Sequence, residues 1–271
     1  MNETYIPDRI IMGTNEDPTY FDFWKIQVLA HRTFFPYTKL TLAILSDKQR
    51  DMNKFHYISE AGVDVRLYAP SKLAPHGNQA KLLRYYCAAQ FPDELCVVSD
   101  IDTVPMQSAY VEKIVNVVEH NKLLAVGREV LLNGPDSGKF PAHHTSGYGN
   151  VFAALYQCQH KTFAECVEQF IGMRVFDQKE NVMNMPFNFS DESLNRALIH
   201  LNKVEVKDMI RAIDIKRDWI DRSWWGIDEA RLNAGGYIEA NLLRPFADNY
   251  SSILPIIKYI ESKGVDKYGN I

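Results

Sequence analysis

In the first half of the chain, short apolar runs alternate with stretches whose apolar residues recur at helical spacing. Arg9 to Met12 reads as a short strand running into a loop at Gly13-Thr14-Asn15. From Tyr20 to Phe35, the residues Phe23, Ile26, Val28 and Leu29 keep helical spacing and predict a helix. Leu40 to Leu45 is a second buried strand, closed by Ser46-Asp47 as the N-cap of a following helix. Val63 to Tyr68 alternates as a third strand, and Asn78 to Phe91 is helical. Leu95 to Ser99 is an apolar strand that ends in Asp100-Ile101-Asp102; a helix from Gln107 to His120 and a strand from Leu123 to Val126 follow. Strands separated by helices imply βαβ units and a mostly parallel sheet flanked by helices, an α/β fold of Rossmann-like class. Ligands of such sheets sit at the C-terminal ends of the strands.

The second half is less regular. Leu132 to Tyr148, with Gly134, Pro135, Gly138, Pro141, His143 and His144, reads as a long loop, and loops of that length are commonly functional. Asn150 to Leu155 reads as a strand, Thr162 to Arg174 as a helix and Lys179 to Ser190 as irregular. Ser190-Asp191-Glu192 opens a helix through Leu201, with Ser190 as N-cap and two acids in the first turn. From Trp219 the chain is aromatic and loop-rich until a final helix, Ser252 to Ser262.

Composition narrows the class. At 46% hydrophobic and 24% charged residues, the 271-residue chain can bury a sizeable core and is not a disordered sequence. A net charge of -4 without a basic run argues against nucleic acid as a partner. No stretch approaches the roughly 18 apolar residues of a membrane span. Met1 to Arg9 is polar, with no signal peptide visible, so a cytoplasmic location is expected. Cys87, Cys96, Cys158 and Cys166 lack close zinc-ligand spacing and read as buried reduced thiols.

The strongest chemical signal is the carboxylate pair that ends the Leu95 strand. Alternate residues of an extended chain point the same way, so Asp100 and Asp102 can face one pocket. Two carboxylates that close repel unless a proton or cation lies between them, and a hard divalent cation prefers such oxygens. The bland alternative is an Asp that caps the next helix. Two enzyme classes use the arrangement. Asp100 to Val104 fits the D-x-D-x-[TV] pattern of haloacid-dehalogenase-type phosphatases, but that motif lies on the first strand of their core, and here three strands precede it. Glycosyltransferases of the GT-A fold place D-x-D after several βα units, as this chain does. A non-catalytic nucleotide-sugar-binding module is the third reading.

Several further segments extend the resemblance to a GT-A glycosyltransferase over nearly the whole chain. Gly77-Asn78-Gln79-Ala80-Lys81-Leu82-Leu83-Arg84 resembles the helix that donor phosphates and sugars approach. Ser99-Asp100-Ile101-Asp102-Thr103-Val104-Pro105-Met106 resembles the S-D-I-D-hydrophobic-x-P segment of a viral and bacterial family. Gly147 to Val151 resembles its acceptor-side strand, and Phe189-Ser190-Asp191-Glu192 its aromatic-x-D-E element. Asp218 to Trp225 is similar to G-W-x-x-R-I-D-R-S-x-W, and Tyr237 to Pro245 to Y-I-D-x-H-x-L-R-P. In the last, Asn241 stands where the family has a metal-ligating His, and Glu239 replaces Asp. Asn oxygen binds a hard cation without contributing charge.

The resemblance implies a single GT-A-like domain, with residues 1–106 as the nucleotide-sugar half and 107–271 as the acceptor-side half. It implies a nucleoside-diphosphate sugar donor (UDP- or GDP-linked), a glycan or other hydroxyl acceptor, and Mn²⁺ or Mg²⁺ held by Asp100, Asp102 and Asn241. Thr14 and Asn15 are then candidates for the base and ribose, against an ordinary turn. Asp100 is an alternative ribose ligand. Lys81 and Arg84, three apart on one helix, are candidates for diphosphate or donor sugar, against solvated surface cations. Asp191 and Glu192 are candidates for general base or stabiliser of an oxocarbenium-like sugar, against acids that merely favour a helix N-terminus. Asp228-Glu229 is a second acidic pair. His143 and His144 are candidate acceptor or diphosphate contacts, and Trp219, Trp224 and Trp225 either stack on a sugar or belong to the core.

Overall fold

The computed structural model describes residues 6–47, 52–126, 144–171, 174–176, 182–184, 191–209 and 215–268. In chain order the first half runs β1 (Arg9–Asn15), α1 (Pro18–Phe21), α2 (Trp24–Phe34), β2 (Lys39–Leu45), α3 (His56–Glu60), β3 (Asp64–Tyr68), α4 (His76–Ala88), β4 (Leu95–Ser99), β5 (Thr103–Pro105), α5 (Ala109–Val115) and β6 (Leu123–Val126). The second half continues β7 (Thr145–Tyr148), α6 (Gly149–Tyr156), α7 (Phe163–Phe170), β8 (Arg174–Phe176), β9 (Val182–Asn184), α8 (Asp191–Asn202), β10 (Val206–Met209), α9 (Ile215–Asp218), β11 (Trp219–Asp221), α10 (Glu229–Asn233), β12 (Glu239–Asn241) and α11 (Tyr250–Tyr268).

Seven strands form the central sheet in the order β10-β6-β7-β4-β1-β2-β3. Only β7 runs antiparallel to its neighbours; the other pairs are parallel. The sheet is covered on both faces, as the period of two along each strand requires. Ile10, Met12, Leu42 and Val97 pack on one side with Ile26, Val28, Ile253 and Ile256 of α2 and α11. Ile11, Ala43, Cys96 and Val98 pack on the other with Leu82 and Leu83 of α4, Phe152 of α6 and Leu194 of α8. This is the mostly parallel, helix-flanked α/β architecture expected. A small sheet, β11-β12-β5, sits beside the main one. All four cysteines are buried and free.

Five local expectations are corrected. Asn150 to Leu155 belongs to a helix, α6, not a strand; so short an apolar run fits either state, and Val151, Phe152, Leu155 and Tyr156 turn out to share a helical face. Thr145–Tyr148 is a buried strand rather than loop, hidden from the apolar pattern by its small polar residues Thr145, Ser146 and Gly147. β1 continues through Gly13-Thr14-Asn15, which pair with Ala43, Ile44 and Leu45. The helix expected from Tyr20 to Phe35 is divided into α1 and α2, and the one expected from Gln107 to His120 is only Ala109–Val115. The Ser46 hydroxyl donates to Glu16 at 2.5 Å, and the segment 48–51 that Ser46-Asp47 was expected to cap lies outside the described residues. The expected Ser190 cap and His143 lie outside the described residues.

One close approach positions the site. A Cβ on Gly13 would stand 2.3 Å from the Ala80 carbonyl oxygen, so only glycine lets α4 lie this near β1. That packing carries Arg84 to the C-terminal edge of the sheet.

At the other end of α2, His31 is buried. Its Nδ1 donates to the Gln27 carbonyl at 3.0 Å, and its Nε2 has no partner among the described residues. Burial pushes the imidazole down to about 4, against the opposing pull of the Gln27 carbonyl. The unfolded chain, with His near its ordinary 6.5, therefore binds this proton first as pH falls. Stability from His31 is complete above about pH 6.5 and is lost progressively down to about pH 4, roughly 3 kcal/mol in all. Urea midpoints across that window should fall in the parent, and a His31→Leu variant should show a flatter profile; equal slopes would remove His31 as the cause.

Candidate active site

β4 delivers Asp100 and Asp102 beyond its last residue, Ser99, at the C-terminal edge of the sheet. The turn is tight: the Thr103 amide donates to the Asp100 carbonyl at 3.2 Å. It is also clamped from below. Buried Gln27 donates its Nε2 to the carbonyls of Ile101 and Thr103, both at 2.8 Å. The chain on the far side is tied by the Leu242 amide, which donates to the Asp102 carbonyl at 2.9 Å. The carboxylate pair therefore rests on a fixed backbone.

The two carboxylates have different surroundings. Asp100 is 41% exposed, and its Oδ1 accepts from Nη1 of Arg84. Arg84 is 2% exposed, and its Nη2 donates to Asp191 Oδ2 at 2.7 Å. One buried guanidinium thus joins the strand-end acid to the first residue of α8. Burial works against the Arg84 charge, but Asp100 and Asp191 keep its pKa above the ordinary value. Asp102 is buried. Its Oδ2 accepts from Arg222 Nη1 at 2.6 Å and from Nε of Arg244. Burial pushes the Asp102 carboxyl up from the usual carboxylate range and the charge of Asp100 adds to this, while Arg244 and Arg222 pull it back.

Arg222 and Arg244 carried no assigned role in the sequence reading, although both fall inside the quoted motifs. The signal was there: two arginines one and three residues from the ends of short strands, in Ile-Asp-Arg-Ser and Leu-Leu-Arg-Pro. Arg244 is braced by Tyr20, to whose hydroxyl Nη1 donates and over whose ring the guanidinium lies at 4.5 Å. Arg222 Nη1 also donates to Asn241 Oδ1 at 2.5 Å. Asn241 in turn donates its Nδ2 to Asp221 at 3.1 Å, which fixes the amide with its oxygen toward Arg222.

The other candidates fall in several places. Thr14 is buried, its hydroxyl donating to the Asn15 carbonyl at 3.1 Å, and Asn15 Oδ1 accepts from the Asp17 amide at 3.2 Å. Lys81 is exposed and makes no hydrogen bond or ion pair among the described residues, so the helix face it was expected to share with Arg84 is divided between solvent and interior. Glu192 is half-buried beside Asp191. Asp228 caps α10 through the Arg231 amide at 3.1 Å. His144 is not a surface loop residue: its Nε2 pairs with buried Glu239 at 2.6 Å. Trp224 is 50% exposed, whereas Trp225 packs on the core.

A divalent cation needs several converging oxygens that no other cation holds. Asp102 Oδ2 and Asn241 Oδ1 both lie within 2.6 Å of a single cationic nitrogen, Arg222 Nη1. Arg244 holds the same Asp102 oxygen, so two guanidiniums occupy the place that the resemblance gives to Mn²⁺ or Mg²⁺, and the described residues as they stand do not fit a divalent ion. Asp100 Oδ1 is turned to Arg84 instead. No group of three or more His, Cys, Asp or Glu that could hold a metal occurs among the described residues. Nor is any described helix long and apolar enough to cross a membrane.

No protein-family model matches the chain, and no curated protein matches it. Solved structures to which the chain is similar include the glycosyltransferase GlyE of Streptococcus pneumoniae TIGR4, at 14% identity over 76% of this chain and 45% of that one, TM-score 0.42. The bifunctional glycosyltransferase WbbM matches at 12% identity over 97% and 52%, TM-score 0.45. A nucleotidyl transferase from Methanothermobacter thermautotroptrophicus matches at 9% identity over 77% and 88%, TM-score 0.37. The chain spans about half the length of the two glycosyltransferase chains.

Proposed function

We propose that the chain transfers a sugar from a nucleoside-diphosphate sugar, UDP- or GDP-linked, to the hydroxyl of a glycan or other acceptor. The observation that carries this reading is the Arg84 bridge between Asp100 and Asp191, which sets two acids side by side at the ligand-binding edge of the sheet. On the neighbouring side, Arg222 and Arg244 share Asp102. The site is thus divided by charge. Its guanidinium end suits the leaving diphosphate, since arginine forks match phosphate oxygens. Its Asp191 end suits a sugar ring that becomes cationic as the bond to the diphosphate breaks.

Thr14 and Asn15, at the end of β1, would meet the base and ribose. Asp191, held by Arg84, supplies a fixed negative charge. Glu192, next to it and half-buried, would take the proton of the acceptor hydroxyl. Arg222 and Arg244 would supply the positive charge that the leaving nucleotide needs.

Asp102→Ala is the direct test. It should lose transfer with a panel of nucleotide sugars, assayed with and without Mn²⁺, while its circular dichroism is unchanged. Full parental activity in excess chelator would remove the cation. A parent protein that binds neither UDP nor GDP, with or without Mn²⁺, would overturn the reading as a whole.

A further inference from the structure

Resting on that reading, we infer that Arg222 holds the donor's diphosphate in the place that the resemblance gives to a divalent cation, and that nucleotide binding and transfer proceed without one.

Arginine occupies both strand-end acids. Asp102 Oδ2 accepts from Arg222 and from Arg244, and Asp100 Oδ1 accepts from Arg84. An ion with ligands at about 2.0–2.6 Å would have to take the Asp102 oxygen from two guanidiniums. It would also bring two further positive charges against them, beside a side chain only 4% exposed, which is strongly unfavourable. Asn241 points the same way. It stands where the resemblance has a metal-ligating His. Its Nδ2 donates to Asp221 at 3.1 Å, and this turns its oxygen to Arg222 Nη1 at 2.5 Å. The amide thus gives Arg222 a second acceptor and adds no charge that would draw a cation.

The two arginines on Asp102 have different tasks. Arg244 is spent: Nε and Nη2 lie on Asp102 Oδ2, Nη1 donates to the Tyr20 hydroxyl, and the guanidinium rests over the Tyr20 ring. It fixes the carboxylate. Arg222 lies in the short turn after β11 and is 33% exposed. Its hydrogen bonds among the described residues both come from Nη1, and its Nε and Nη2 make none there. The Nε–Nη2 edge carries two parallel N–H bonds, the geometry that two phosphate oxygens accept. Asp102 and Asn241 are then positioning residues, which grip one nitrogen of Arg222 and leave that edge for the diphosphate. When the bond from the sugar carbon to the diphosphate oxygen breaks, its electron pair stays on that oxygen, and Arg222 meets the growing charge. The acceptor oxygen bonds to the sugar carbon, and its proton passes to Glu192.

The test is calorimetry of UDP and GDP, in excess chelator and again in Mn²⁺, with transfer from the matching nucleotide sugars assayed in both conditions. In the parent, the nucleotide that binds should do so with the same affinity in both, a coupling factor near one, and transfer should persist in chelator. Arg222→Ala and Arg222→Gln should bind that nucleotide about 10–100-fold more weakly, the loss expected for charge-assisted bonds to phosphate, and Mn²⁺ should not restore it. The matching nucleoside, which lacks the phosphates, should bind both variants as it binds the parent. Arg222→Lys keeps the charge without the fork and should recover part of the loss. Nucleotide binding or transfer that the parent shows only with Mn²⁺ overturns this inference and leaves nucleotide-sugar transfer standing. Parental nucleotide affinity in both Arg222 variants does the same. A parent that binds neither nucleotide under any condition overturns both.

Discussion

Arg84→Leu is expected to destabilise the protein by about 3–5 kcal/mol and to abolish transfer. Arg84 is 2% exposed and Asp191 6% exposed in their side chains, while Asp100 is 41% exposed. Removal of the guanidinium leaves Asp100 able to turn to water, but Asp191 is left as a buried charge without its cation. Breaking a buried pair from one side carries a penalty of the size stated. For a chain of this length that is a fall of roughly 10 °C in melting temperature. Arg84→Leu combined with Asp191→Asn removes both charges and should recover part of the lost stability, yet no transfer. Differential scanning calorimetry on the two variants and on Asp191→Asn alone gives the coupling between the residues. Additive effects would show that the 2.7 Å contact does not link them in solution, and the electrostatic account of the Asp191 end would fall with it.

The parallel frame was legible in the sequence because its strands are buried on both faces. Leu95-Cys96-Val97-Val98 and Leu40 to Leu45 are nearly unbroken apolar runs, and each stands where it was expected. What escaped were elements whose stability comes from position rather than pattern. β7 is built of Thr145, Ser146 and Gly147 and survives as a strand because β4 and β6 flank it on both sides. α6 looks like a strand in isolation; as a helix it buries Val151, Phe152, Leu155 and Tyr156, and Gly149 lets its start lie against the Phe91 carbonyl, 2.1 Å from where a Cβ would be. Neither relation can be read from a local window.

The site was legible to a similar degree and for a related reason. Asp100 and Asp102 end an apolar strand, and that context marks them. Arg84 was found on its helix, but nothing in a window around it separates a buried cation from the exposed Lys81 three residues earlier. Only the Gly13 contact, which brings α4 against β1, makes the distinction. Arg222 and Arg244 reach Asp102 across 120 and 142 residues of chain. His144 and Glu239 meet in the same way, by a pairing of segments that no spacing rule connects.

The second large effect is expected at the start of α8, where two adjacent acids divide the chemistry. Asp191→Asn keeps the shape of the side chain and an oxygen for Arg84 Nη2, but deletes the charge. If Asp191 is the fixed anion that faces the sugar, this variant should bind UDP or GDP as the parent does and lose about 10²–10⁴-fold in kcat, since a charge placed for the transition state acts on the rate rather than on ground-state binding. A fixed anion takes no proton in the reaction, so the pH dependence of the residual activity should keep the parent's acidic limb. Glu192→Gln should behave differently. Glu192 is half-buried; if it is the general base, its loss should lower the rate by about 10²–10⁴-fold and flatten that acidic limb. Acids that serve only the helix N-terminus would contribute about 0.3–1 kcal/mol to stability and leave turnover intact. Rate, nucleotide affinity, melting temperature and pH profile, measured together on both variants, separate these outcomes. Parental turnover in both would remove the acids of α8 from the chemistry. A flattened limb in Asp191→Asn but not in Glu192→Gln would exchange the two roles.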